Sequence, residues 1–255
     1  MKIGIFDSGI GGLSVLRLAA KKLPDADFLY YADTDNVPYG EKSEDEVRGL
    51  AFSAAEFLIS QGADAIVIAC NTATSAAAAS MRERLPVPII GMEPAVKKAL
   101  DKNPSGRILA AATPLTCRGG KLHSLIERLG GNGRIDLLPL PGLVRLAEAG
   151  DFSSADYCIS RALAGFELSE YSALVLGCTH FLYFTDYFRR LLPDTVTLVD
   201  GNVGTVNQLL RIVREMPKSG CGQTLFFDSG RPASPESLLR TASLLRRLDK
   251  LDNAQ

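Results

Sequence analysis

The sequence predicts an α/β protein built from two similar parallel-sheet lobes, related by a pseudo-twofold axis, with a candidate active site in the cleft between them. Three observations lead there. Short Ile/Val-rich runs alternate with helical patterns, the signature of βαβ units and a parallel sheet with right-handed crossovers. The second half of the chain repeats the first at nearly constant spacing. Each half carries a cysteine at the carboxyl end of its most apolar strand, Cys70 and Cys178.

In order, residues 2–6 read as a strand, DSGIGG as a turn, and residues 13–23 as a helix stopped by Pro24. A strand over 28–32 leads into the loop DTDNVPYG. The next helix opens on a capping-box pattern, Ser43 to Glu46, with Val47, Leu50, Ala51, Ala54 and Leu58 at three- and four-residue steps. Residues 63–69 are nearly uncharged, as expected of a strand buried on both faces, and a helix former is strong from Ala76. A strand over 87–90 completes βαβαβαβ.

Lys102, Asn103, Pro104, Ser105 and Gly106 form the clearest linker. Beyond it GRILAAAT overlays MKIGIFDS, residues 135–140 overlay 28–33, and the Cys178 strand overlays the Cys70 strand, at offsets of 105, 107 and 108 residues. After a strand over 196–200, a helix over 203–214, a strand over 224–227 and a helix capped by Ser234 and Pro235 and running to about Leu248 are too little for a third domain. They are expected to return to the first lobe, giving residues 1–98 plus 208–255 as one lobe and 99–207 as the other.

A chain of 255 residues, 46% hydrophobic and 22% charged, can bury a full core. Its net charge of −1 and the lack of basic blocks interleaved with aromatics argue against nucleic acid. The N-terminus runs directly into a strand and no apolar stretch is long enough to span a membrane, so a cytoplasmic protein is expected. Five cysteines, Cys70, Cys117, Cys158, Cys178 and Cys221, form no CxxC, and there are two histidines, His123 and His180. Neither a disulfide framework nor a zinc site is expected.

The strand ends of an open α/β sheet are where ligands bind, and a helix N-terminus beyond Cys70 would favour thiolate over thiol. Opposed thiols suit removal of a proton from one face of a carbon and delivery to the other, given pKa values lowered from about 8.5. Asp7, ending the first strand, and His180 are the adjacent acid–base candidates. Asp7 could equally be a helix cap, and His180 a capping or core residue. The turn Gly9-Ile10-Gly11-Gly12 departs from a dinucleotide fingerprint, because Ser14 holds the third glycine position and Asp7 stands where a pyrophosphate would approach.

DSGIGGLSVL, PYG at 38–40, CNTAT at 70–74 and GCTH at 177–180 together resemble the glutamate racemases of the aspartate/glutamate racemase superfamily, over most of residues 1–200. The resemblance implies racemisation of glutamate without any cofactor or metal, supplying D-glutamate for peptidoglycan, and the dimer common in that family. It implies that Cys70 deprotonates D-glutamate and Cys178 L-glutamate, that Asp7 and His180 assist, and that Ser8, Tyr39, Gly40, Asn71, Thr72 and Thr179 hold the substrate. A further acidic position falls on Glu148, which can also be read as a solvated helix residue. Phe181-Leu182, Asn36-Val37 and Gly201 depart from the family pattern at positions expected near the pocket's rim. A racemase of aspartate or another acidic substrate, a binding protein of the same fold and a thiol redox protein are the alternatives.

Overall fold

The computed structural model describes residues 1–92, 95–103, 105–217 and 220–253. In the first lobe β1 (Lys2–Asp7), β2 (Asp27–Ala32), β3 (Ala65–Ile68) and β4 (Ile89–Gly91) alternate with α1 (Leu13–Lys22), α2 (Glu44–Ser60) and α3 (Asn71–Arg84). Their order is β2-β1-β3-β4, all parallel. All four residues of β3 are buried, as its uninterrupted apolar run requires.

The second lobe comprises α4 (Ala95–Lys102), β5 (Arg107–Ala112), α5 (Pro114–Arg118), α6 (Gly120–Arg128), β6 (Ile135–Pro139), α7 (Pro141–Ala149), α8 (Ala155–Leu163), β7 (Tyr171–Leu176), α9 (Thr185–Leu191) and β8 (Thr197–Val199). Its sheet runs β6-β5-β7-β8, again all parallel. The repeat seen as residue offsets is therefore a repeat of strand order.

The chain then forms α10 (Asn202–Ile212), β9 (Thr224–Asp228), β10 (Arg231–Pro232) and α11 (Pro235–Asn253). β9 pairs in parallel with β2 and β10 antiparallel with β9. Among the described residues this makes the first sheet six-stranded. α11 lies on α1, held by Arg17 on Asp249 at 2.6 Å and on Asp252.

The expected lobe boundaries, 98/99 and 207/208, fall inside the continuous helices α4 and α10. α4 packs on β7 and β8, whereas α10 packs on α1 and β4, so each helix belongs whole to the lobe it covers. The expected linker is a connection inside the second lobe, from α4 to β5, with Arg134 Nη2 donating to the carbonyls of Asn103 and, at 2.9 Å, Gly106. Its Pro104 lies outside the described residues.

One apolar cluster runs through both lobes, joining Ile3 and Ile5 of β1 to Leu109 of β5 and to Leu174 and Leu176 of β7. The lobes are thus fused along a common core, and only their strand ends stand apart. No described helix is long and apolar enough to cross a membrane.

The segments after the two cysteines differ. α3 begins at Asn71, five residues before the alanine run, because Cys70 itself caps it. Cys178 instead opens a 3-10 helix, Thr179–Phe184, and makes no capping bond. Residues three apart eclipse in a 3-10 helix, so Phe181 and Phe184 both enter the shared core, where each is fully buried.

The capping box of α2 forms as the sequence predicts: Glu46 N donates to Ser43 Oγ at 3.3 Å and Ser43 N to Glu46 Oε2 at 2.8 Å. Ser43→Ala should cost about 1 kcal/mol, read as a lower urea midpoint at unchanged slope. An unshifted midpoint would show that this cap adds no stability.

Candidate active site

Parallel strands β1, β3, β5 and β7 end on the same side of their sheets, and the turns that follow them bring the candidate residues together. From β1, Asp7 is fully buried, its Oδ1 accepting from Gly9 N at 3.0 Å and its Oδ2 from Thr179 Oγ1 at 2.9 Å. The second bond crosses between lobes. Burial raises the Asp7 pKa, against the opposing pull of His180 and these hydrogen bonds.

The glycine turn at 9–12 is a docking surface for the second lobe. A Cβ on Gly11 would stand 2.3 Å from Thr179 Oγ1, 2.6 Å from His180 Nδ1 and 2.9 Å from the His180 backbone nitrogen. One on Gly9 would overlap Glu148 Oε1. Contacts this short admit only glycine, so the turn that superficially suggested a phosphate loop serves to bring protein against protein.

Cys70 is buried, and Ala73 N donates to its Sγ at 3.4 Å, with Ser8 Oγ 3.8 Å away. A helix N-terminus should favour the thiolate, which is the sequence expectation. Burial and the Asp7 charge outweigh it and push the Cys70 thiol up to about 12; a charge on Cys178 adds to the rise. Cys70 is therefore held as a thiol.

Cys178 has another kind of partner. His180 Nδ1 lies 3.8 Å from its Sγ, and His180 Nε2 lies 2.7 Å from Glu148 Oε1. Burial opposes charge on His180, but the bonds to Cys178 and Glu148 prevail and carry its pKa well above the ordinary histidine value. Burial likewise opposes charge on Glu148, yet His180, the Ile10 amide at 2.8 Å and Arg240 hold its pKa below the usual range. Glu148 is thus largely buried, its carboxylate bonded to His180 and the Ile10 amide, and is not a solvated helix residue.

Tyr39 is buried and donates to Asp33 Oδ2 at 2.6 Å; Asp33 also accepts from Asn36 Nδ2 and Ser229 Oγ. Gly40 packs on Thr113, and Thr72 Oγ1 lies 3.0 Å from Thr113 Oγ1 and 3.2 Å from Thr116 Oγ1. Asn71 lines a cavity of about 400 Å³ between the lobes, with Ser75, Arg82, Thr116, Lys121 and Gly177.

Three expected rim positions behave differently. Phe181 is fully buried in the core; Asn36 braces the loop that holds Tyr39; and Gly201 is the N-cap residue of α10, beside Asp200, whose Oδ1 accepts from Asn202 N at 2.8 Å. Sequence reading passed over Thr113, Thr116, Asp33 and Arg240. Thr113 had a signal, since it is the counterpart of Ser8 in the repeat. Arg240 had none, as a helix arginine far along the chain resembles any surface charge.

A family model described as Asp/Glu/Hydantoin racemase matches residues 14–209. The glutamate racemase of Campylobacter curvus is 50% identical over 98% of this chain and 98% of its own. Among solved structures, glutamate racemase from Thermus thermophilus in complex with beta-chloro-D-alanine shares 33% identity and a TM-score of 0.76, covering 97% of this chain and 92% of that one. That from Francisella tularensis in complex with D-glutamate shares 26% identity and a TM-score of 0.82, covering 96% and 93%. Fold, paired strand-end thiols and these likenesses agree, and the chain is an isomerase belonging to the Asp/Glu/Hydantoin racemase family.

Proposed function

We propose that the protein interconverts L- and D-glutamate by a two-base mechanism and so supplies D-glutamate for peptidoglycan. The observation that carries this reading is the pair of buried cysteines at matching strand ends, Cys178 beside His180 and Cys70 beside Ser8 in the field of Asp7. The relatives named glutamate racemase support the choice of substrate over aspartate.

Protonated His180 is the partner a Cys178 thiolate requires. With L-glutamate bound, that thiolate takes the α-proton, and the Cys70 thiol delivers its own proton to the opposite face. One proton leaves and one arrives, so the product differs only in configuration. In the reverse direction Asp7, reached through Ser8 Oγ, accepts the Cys70 proton and cationic His180 gives one to the Cys178 thiolate. Cys70 then takes the α-proton of D-glutamate, and the Cys178 thiol delivers its own to the opposite face. Thus the protonation states favoured by burial and charge, neutral Cys70 and cationic His180, are those needed to begin from the L enantiomer.

Ser8, Asn71, Thr72 and Thr179 supply hydroxyl and amide groups around the reacting carbon, where preorganised donors lower the barrier to a carbanion. Arg82, Lys121 and Arg128 line the inter-lobe cavity, with no carboxylate among its described lining residues. Neither Cys70 nor Cys178 lines that cavity, so its field would act on the approach of a dicarboxylate substrate rather than at the reacting carbon.

Purified protein given L-glutamate in D₂O, with no added pyridoxal phosphate or metal, should exchange the α-hydrogen and carry the optical rotation to zero. Activity dependent on added pyridoxal phosphate would refute the reading.

Cys70→Ser and Cys178→Ser should each lower racemisation by about 100-fold or more, since a hydroxyl is a poor base at neutral pH. Ser replacements of Cys117, Cys158 and Cys221, which touch none of these groups, should turn over near normally. Full racemisation by either Cys70→Ser or Cys178→Ser would defeat the mechanism.

Because its pKa lies near 12, carbamidomethylation of Cys70, followed by mass spectrometry, should rise about tenfold per pH unit through the alkaline range. A plateau below about pH 9 would contradict the assignment.

A further inference from the structure

We propose that Arg240, on α11, is a positioning residue for the Cys178 half of the site, clamping Glu148 so that Glu148 holds His180 against Cys178. The inference rests on the two-thiol reading above. Glu148 stands in the last turn of α7, where the helix dipole is negative and terminal carbonyls have no intrahelical partner. A carboxylate there needs cations or N–H donors to stay in place.

α7 ends at Gly150 in the left-handed conformation, whose N–H points to Ala147 O and Leu146 O. The Glu148 carbonyl takes its hydrogen bond from Arg240 Nη2, and the same nitrogen lies 3.2 Å from Glu148 Oε2. Oε1 faces the other way, toward His180 Nε2 at 2.7 Å and Ile10 N at 2.8 Å. Every oxygen of Glu148 is thereby engaged and the carboxylate cannot turn from the imidazole. An exposed ion pair contributes little by itself, but this one joins a side chain 41% exposed to one 14% exposed. Its effect is to fix geometry.

The effect is one-sided. The groups around Cys70 are Ser8, Asp7 and the Ala73 amide, and Arg240 bonds to none of them. Among the described residues its bonds to the site run through Glu148, which in turn holds His180 and the Ile10 amide, as outer partners orient the groups that do chemistry.

Racemisation cannot reveal this asymmetry, because two enantiomers of equal free energy force equal kcat/KM in both directions in any variant. Elimination can. In a glutamate carrying chloride on Cβ, one base removes the α-proton, the electron pair forms the Cα=Cβ bond and chloride leaves, so each enantiomer needs only one thiolate. Wild-type protein should eliminate from both. Arg240→Ala should lose about tenfold or more on the L analogue, which uses Cys178, and less than about twofold on the D analogue, which uses Cys70. Arg240→Lys, which keeps the charge, should recover part of the loss. Equal loss on both enantiomers, or no loss on the L analogue, overturns the inference while leaving the two-thiol reading intact. A wild-type protein that eliminates from neither refutes that reading and this inference with it.

Discussion

The close approach of the glycine turn at 9–12 to Thr179, His180 and Glu148 is the constraint on which the rest of the site depends. Asp7, the Ile10 amide and two bare α-carbons of the first lobe meet a hydroxyl, an imidazole and a carboxylate of the second. Without that contact the two thiols would belong to separate sheets with no common substrate space. Tyr30 and Tyr183 hold the turn from behind, donating to the carbonyls of Gly9 at 2.7 Å and Ile10 at 3.0 Å. Buried polar groups are stable only when their hydrogen bonds are made, and here the bonds that satisfy one lobe come largely from the other.

Two sheets of the same strand order produce two half-sites of different chemistry. At Cys70 an α-helix starts at once, and its first amides together with Ser8 surround the sulfur. At Cys178 a 3-10 turn replaces that helix, removing most of the aligned N–H groups and putting an imidazole in their place. Under the proposed two-base mechanism, proton transfer across a plane needs one donor and one acceptor at any instant. An exact repeat would offer two groups of the same kind, whereas this departure sets them apart.

The common core explains why such a site can be precise. Aliphatic side chains of β1, β5 and β7 pack as one cluster, so the lobes do not hinge freely about a linker. The hydroxyls of Thr72, Thr113 and Thr116 meet across the cleft, and Arg145 on α7 pairs with Glu41 of the first lobe. Both thiols come from a single chain.

By itself the sequence determined the α/β class, the repeated strand pattern, the capping box of α2 and the placement of Cys70 and Cys178 at strand ends. These are legible because apolar period, N-cap chemistry and strand length are local properties. It also brought Asp7, His180 and Glu148 into view, though not what they do to one another. Only the tertiary structure decided that Cys70 is held neutral, since burial there outweighs a helix N-terminus, and that α4 packs on the second lobe and α10 on the first. Only it joined Glu148 to Ile10, His180 and Arg240, residues up to 138 positions apart in the chain. Desolvation and contact across lobes depend on where distant segments come to rest, and no local pattern of residues encodes that.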